Sequence, residues 1–358
     1  MKILVISLAG IGDTLFATPM IHELRARFPE ATIDVTVKEA GARDLLENNP
    51  HLNRVIYQDL LKSGKLEAWR FFRSLRKNRY DLSINTHPQS RMVYRIAARI
   101  VGARTRLSHE YECFTWLDRR LVTSTMPQDY SRHAVDNNLS LLSLIGLKPI
   151  LPRHNYEIFL TDAEKVMAEN FIAKENIATR LLLGIHVGSG GTKNLALRRW
   201  PLVNYIELTR RLRQSKPGLA ILFFGGPGEK PAHEQIKSAL NDNQVFFPQT
   251  ENIRQTAALI GKCDLFLSVD TALMHLAATM KVKEQIVIET PTWNKPVEPY
   301  GRPFTLIKNP AVAGRNLEFY RYDGRGIRGS PGELEQYMNS VTVGEVLAAV
   351  DLVLAKSI

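Results

Sequence analysis

An apolar run from Leu265 to Val269 stops at Asp270 and Thr271, and a helix-like pattern carrying Ala272 and His275 follows at once. In a parallel α/β sheet, a strand's carboxyl end opening onto a helix N-terminus is where ligands bind. Backbone N–H groups and the helix dipole there attract anions such as a diphosphate. Asp270 stands where it would accept hydrogen bonds from hydroxyls, and His275 falls a little over one turn into the helix. An acid beside an anion site describes a ligand with both phosphates and hydroxyls, a nucleotide-sugar. The same pattern also describes a capped helix in a core strand–helix unit.

Three other turns invite the same question. Ala9-Gly10-Ile11-Gly12-Asp13-Thr14 follows the first apolar run, but Leu15 stands where the dinucleotide fingerprint needs a third glycine or alanine. That bulk opposes close helix–strand approach and argues against NAD. Asp13 reads either as a helix cap or as a catalytic carboxylate. Gly188-Ser189-Gly190-Gly191-Thr192-Lys193 resembles a phosphate loop without meeting the Walker pattern. Arg198-Arg199-Trp200-Pro201 offers guanidinium groups able to neutralise a diphosphate, with Pro201 suited to open a helix. Glu229, after Gly225-Gly226-Pro227-Gly228, stands where a ribose diol would be held; an acid in a first helical turn is also ordinary.

Alternating short β-like and longer helical runs must position these residues. Strands are expected at Ile3–Leu8, Thr32–Val37, Val55–Tyr57 and Leu82–Asn85. Helices are expected at Thr14–Phe28, Leu66–Lys77, Gln89–Val101 and His133–Ile145, with Pro19 disturbing the first of them. After Gly146, Pro149 and Pro152 the alternation resumes, with strands at Leu181–Val187, Ala220–Phe224, Gln244–Phe247, Leu265–Val269 and Gln285–Ile288. The pattern predicts an α/β protein of two doubly wound domains, 1–155 and 156–340. A final helix at 341–358 would stay on the second domain or cross back to the first. The tract Asp323–Gly332 reads as a loop.

The chain has 358 residues, 44% hydrophobic and 23% charged, and no apolar run approaches the roughly 20 residues of a membrane span. Met1 to Ala9 reads as a first strand rather than an export signal, because Gly10, Gly12 and Asp13 break it. Two cysteines, Cys113 and Cys263, give neither a disulfide framework nor a metal pattern and fit a reducing cytoplasm. The net charge of +11 is uneven: residues 1–155 hold 23 Lys/Arg against 15 Asp/Glu. This half would attract an anionic partner, whether an acidic substrate, a membrane surface or nucleic acid. No recognition motif supports nucleic acid.

Taken together, the chain resembles the ADP-heptose:lipopolysaccharide heptosyltransferases, inverting glycosyltransferases of family 9. The resemblance spans most of the sequence. It rests on Lys2-Ile3-Leu4-Val5-Ile6 with Gly12-Asp13 and Thr18-Pro19, on Arg198-Arg199-Trp200-Pro201, on Gly225 to Glu229, on Asp270-Thr271 with His275-Leu276-Ala277-Ala278, and on Pro291-Thr292 with Pro299-Tyr300-Gly301.

The resemblance implies a GT-B fold, two Rossmann-like domains facing across a cleft. It implies Asp13 as general base, with Gly12, Arg198, Glu229, Asp270, Thr271, Ala272, His275 and Thr292 around an ADP-heptose donor. It implies no cofactor and no metal. The acceptor would be the anionic core of lipopolysaccharide on the N-terminal domain, which makes Arg91 and Arg95 candidate grips. Arg70, Arg73 and Arg76 would lean on the inner face of the cytoplasmic membrane. The chain departs from the family's usual lysine at Arg198, glycine at Ala272 and Phe-Gly at Glu289-Thr290. A different nucleotide-sugar donor, a non-catalytic binding module on this scaffold, or a dehydrogenase or epimerase are the competing readings.

Overall fold

The computed structural model describes residues 1–189, 194–313, 315, 317 and 326–356. Two units emerge. Unit 1 comprises Met1–Phe159 with Lys295–Tyr300, and unit 2 comprises the other described residues.

Unit 1 runs β1 (Lys2–Ser7), α1 (Ile11–Leu15), α2 (Thr18–Arg27), β2 (Thr32–Val37), α3 (Ala40–Leu46), β3 (Arg54–Tyr57), α4 (Lys65–Leu75), β4 (Leu82–Asn85), α5 (Met92–Val101), β5 (Thr105–Glu110), α6 (Trp116–Leu121), β6 (Ser124–Pro127) and α7 (Ala134–Ser140). Its six strands are parallel in the order β3-β2-β1-β4-β5-β6. β1 is an almost unbroken apolar run buried from Ile3 onward, as a strand covered by helices on both faces must be. The expected single helix Thr14–Phe28 is two. The chain leaves α1 at Phe16, and Pro19 enters the first turn of α2, where its missing N–H costs nothing.

Unit 2 runs α8 (Asp162–Lys174), β7 (Leu182–His186), α9 (Leu202–Ser215), β8 (Ala220–Phe224), α10 (Lys230–Leu240), β9 (Val245–Phe246), α11 (Ile253–Ile260), β10 (Leu265–Val269), α12 (Ala272–Thr279), β11 (Glu284–Ile288), β12 (Thr305–Ile307), α13 (Pro331–Asn339) and α14 (Val343–Lys356). Its parallel order is β12-β11-β10-β7-β8-β9. Counted from the unit's own first strand and read from the other edge, this is the same 3-2-1-4-5-6 winding as unit 1. Of the two alternatives for the last helix, the structure shows α14 in unit 2: Val346, Val350, Val353 and Leu354 join the core beneath α9. Trp200 is enclosed in that core, its indole N–H donating to the Val341 carbonyl at 2.8 Å.

The winding has one functional consequence. In each sheet the direction of strand addition reverses between the first and fourth strands, leaving a crevice at their carboxyl ends. In unit 1 those ends are β1 and β4, and in unit 2 they are β7 and β10.

Candidate active site

In unit 1, β1 delivers the chain to Ala9 and Gly10, and α1 begins with Asp13 in its first turn. The Gly10 N–H donates to Asp13 Oδ2 at 2.8 Å, so the carboxylate does cap the helix while remaining half-buried at the strand end. A Cβ on Gly10 would meet Asp13 Oδ2 at 3.1 Å. Gly12 is buried in the same turn. From the end of β4, Gln89 and the buried His87 face Tyr111: the Gln89 N–H donates to the Tyr111 hydroxyl at 2.9 Å, and His87 Nδ1 lies 3.1 Å from it. Burial pushes the Tyr111 phenol above its ordinary range, and the charge of Asp13 adds to that.

The two basic candidates differ. Arg91 is exposed at the N-cap of α5, over the Tyr94 ring. Arg95 is not an acceptor grip. Its guanidinium is wholly enclosed, donating to Asp118 Oδ1 at 2.6 Å, to the Gln89 carbonyl at 3.2 Å and to the Ser90 carbonyl at 2.7 Å. It has the register of a ligand-facing residue, but α5 turns that face inward. Burial alone would raise the Asp118 carboxyl. The bonds from Arg95 and from Thr115 outweigh burial and hold it below the usual range.

In unit 2, β10 ends at Asp270 and Thr271 caps α12, its hydroxyl accepting the Met274 N–H. Arg198 Nη1 donates to Asp270 Oδ2 at 3.1 Å and to Thr292 Oγ1 at 3.2 Å, while Thr292 Oγ1 donates to Asp270 Oδ2 at 3.3 Å. The Arg198 Nε is buried without a hydrogen-bond partner. Burial pushes the Asp270 carboxyl up, against the pull of Arg198 and Thr292. Ala272 opens α12 half-exposed, and His275 is buried one turn further.

Glu229 accepts the Gly226 N–H at 2.9 Å and pairs with Arg199 at 3.4 Å, and Arg199 also donates to the Ser189 carbonyl. Gly188 is required here: a Cβ would fall 2.5 Å from Glu229 Oε1 and 2.7 Å from His186 Nε2. Gly190 to Lys193 of the same loop, and Asp323 to Arg325 of the later glycine-rich tract, lie outside the described residues.

His186, at the end of β7, was not singled out from sequence. It sits 3.1 Å from Thr271 Oγ1, and burial, with His233, Arg199 and Arg198 nearby, pushes it down to about 3. It is therefore a neutral hydrogen-bonding partner that positions the α12 cap. The signal that would have found it is the strand-end rule already applied to Asp270, since β7 is the other strand of the reversal. The departures at Glu289 and Thr290 also have local explanations. Glu289 accepts the Asn309 N–H at 2.7 Å, and Thr290 bonds Thr292 at 3.0 Å, holding it toward Asp270.

The comparisons agree with this fold. The profile of glycosyltransferase family 9 (heptosyltransferase) matches residues 68–318. Lipopolysaccharide heptosyltransferase 2 of Salmonella typhimurium is 28% identical over 294 residues, covering 78% of this chain and 80% of that protein. Among solved structures, the family 9 glycosyl transferase of Veillonella parvula aligns with a TM-score of 0.77 at 17% identity, over 99% of this chain and 97% of the other. The E. coli ADP-heptose lipopolysaccharide heptosyltransferase II gives 0.72 at 22% identity, over 100% and 99%. Two parallel six-stranded sheets of identical winding, each carrying polar residues at its strand reversal, define the GT-B fold. The chain belongs to glycosyltransferase family 9.

Proposed function

We propose that this glycosyltransferase moves a heptose from ADP-heptose to the inner core of lipopolysaccharide, with inversion at the anomeric carbon. The observation that carries the reading is the Arg198–Asp270–Thr292 cluster beside the α12 N-terminus. It presents a cation, helix N–H groups and a carboxylate together, the donor set that a sugar diphosphate needs. In this reading Glu229 holds the ribose hydroxyls, Asp270 the sugar hydroxyls, and Thr271, Ala272 and His275 shape the diphosphate pocket. Asp13, supported by Gly12, takes the proton of the acceptor hydroxyl. The acceptor oxygen then bonds to the anomeric carbon as the bond to the diphosphate breaks, and the electrons leave on ADP. Arg198 and the α12 N–H groups stabilise that negative charge, so the transfer calls for no metal and no cofactor.

Unit 1 takes the anionic acceptor, with Arg91 as its exposed grip. The same unit carries the surface for the inner-leaflet contact. Leu66 and Trp69 on α4, Val93 and Ile96 on α5, and Trp116 and Leu117 on α6 are exposed apolar groups. Arg70, Arg73, Arg99, Arg119 and Arg120 are exposed among them on the same three helices. Arg73 lies over the Trp69 ring and Arg120 over the Trp116 ring. Aromatic groups interleaved with arginine suit an anionic headgroup layer. No single helix among the described residues is long and apolar enough to cross a membrane.

A thermal-shift screen with ADP-heptose, UDP-sugars and GDP-sugars tests the donor assignment. ADP-heptose should raise the melting temperature most, because a ligand that selects the native state stabilises it. Stabilisation by a UDP- or GDP-sugar and none by ADP-heptose would overturn it.

A further inference from the structure

Away from the strand reversals, unit 1 brings together His22 from α2, His51 from the turn before β3, and Glu157 from the segment that ends the unit. His22 Nδ1 is 2.7 Å from Glu157 Oε1, and His51 Nε2 is 3.5 Å from Glu157 Oε2. One ligand-capable atom of each residue lies within 4.8 Å of the others. The geometry points to a binding site for a divalent transition-metal ion of the Zn2+ class, held by His22, His51 and Glu157 with a fourth position left to water.

The spacing fits. With Zn–N and Zn–O bonds of about 2.0–2.2 Å, donor atoms of a tetrahedral site stand about 3.3–3.5 Å apart. The two measured separations from Glu157, 2.7 Å to His22 and 3.5 Å to His51, bracket that value. The donor set of two imidazoles and one carboxylate suits Zn2+ and its neighbours rather than Mg2+ or Ca2+.

The chemistry of the cluster asks for a cation. Glu157 Oε2 is buried without a hydrogen-bond partner although His51 Nε2 is beside it. The two imidazoles stack with ring centres 3.9 Å apart.

Two of the three ligands are anchored through their backbones. Glu157 N–H donates to Thr18 Oγ1 at 3.0 Å, and His51 N–H donates to Asn49 Oδ1 at 2.9 Å. The His51 carbonyl accepts from Arg25, and Phe159 packs its edge on the His51 ring. Glu23, next to His22, does not compete, because its carboxylate is taken by His154 and by the N–H groups of Ile150 and Leu151. A bound ion would clip Glu157 to α2 and to the turn at His51. These residues take no part in the transfer proposed above.

The test is titration of chelator-stripped full-length protein with Co2+, followed by displacement with Zn2+. The expected result is one equivalent of Co2+ with the intense visible absorption of a four-coordinate site, bleached by Zn2+. His22→Gln, His51→Gln and Glu157→Gln should each weaken binding by at least about 10-fold. A second readout needs no variant: in histidine 1H–15N spectra of the wild type, Zn2+ should shift His22 and His51 and no other histidine. Binding that survives all three substitutions, a six-coordinate Co2+ spectrum, or unmoved His22 and His51 resonances would overturn the proposal and leave a carboxylate–imidazole pair only.

Discussion

Replacing Arg95 with alanine separates a structural arginine from a ligand-binding one. Arg95 and Asp118 are each 1% exposed and bond at 2.6 Å. In the variant Asp118 keeps only Thr115, which donates from N–H at 2.9 Å and from Oγ1 at 2.7 Å. The carbonyls of Gln89 and Ser90 lose the bonds that Arg95 donates to them as well. Removing one partner of such a buried pair costs about 3–5 kcal/mol, because the remaining charge is uncompensated. For a unit of this size each kcal/mol moves the melting temperature by roughly 2–4 °C, so Arg95→Ala should melt about 6–20 °C lower. Arg91→Ala removes an exposed side chain and should stay within about 0.5 kcal/mol of wild type while raising the acceptor KM several-fold. Calorimetric melting with acceptor kinetics on both variants reads these out. An Arg95→Ala protein that melts within 2 °C of wild type yet loses acceptor affinity would refute the assignment.

Two other outcomes follow from named contacts. Gly188→Ala places a methyl group against Glu229 and His186, and should raise the donor KM about 10-fold, roughly 1.4 kcal/mol, with little change in kcat. Gly218→Ala, where a Cβ meets nothing within 4 Å, is the control; equal donor KM values for the two would contradict the role of Gly188. Acid should destabilise both units, because burial pushes His109 in unit 1 and His186 in unit 2 down to about 3. Their unfolded forms take up a proton below about pH 6.5 and the folded forms do not. Their stabilisation is therefore complete above that pH and is lost as pH falls toward 3. From these two histidines alone, each unit should be less stable by about 2 kcal/mol at pH 5 than at pH 7, and His51, His133 and His233, also pushed down by burial, act in the same direction; equal denaturant midpoints at the two pH values would contradict it.

The sequence made the sheets legible where a strand is buried on both faces. β1, β8 and β10 are apolar runs that no other element explains. β5 (TRLSHE) and β6 (STMP) carry no such run and have no strand signal in the sequence, since pairing, β5 to β4 and β6 to β5, rather than composition makes them strands. Residues 295–300 show no boundary signal, yet they belong to unit 1 through contacts distant in sequence: Tyr300 to Asp136, and the Glu298 carbonyl to His133. At the site, Asp270, Thr271 and Asp13 were visible because strand-end acids before a helix have a recognisable pattern. The link from Arg198 to Asp270 and Thr292 spans 72 and 94 residues and appears only in the fold. Arg95 misled for the same reason: a helical arginine's outward or inward face is decided by packing, not by its neighbours in sequence.

The role of Asp13 is measured most directly by Asp13→Asn. The amide oxygen can still accept the Gly10 N–H, so the helix cap and the fold are kept. Donor affinity by calorimetry should stay within about twofold while transfer to a core acceptor falls by about 10²–10⁴, the contribution of a general base. Turnover near the wild-type rate, or donor affinity falling in step with turnover, would contradict Asp13 as the group that takes the acceptor's proton.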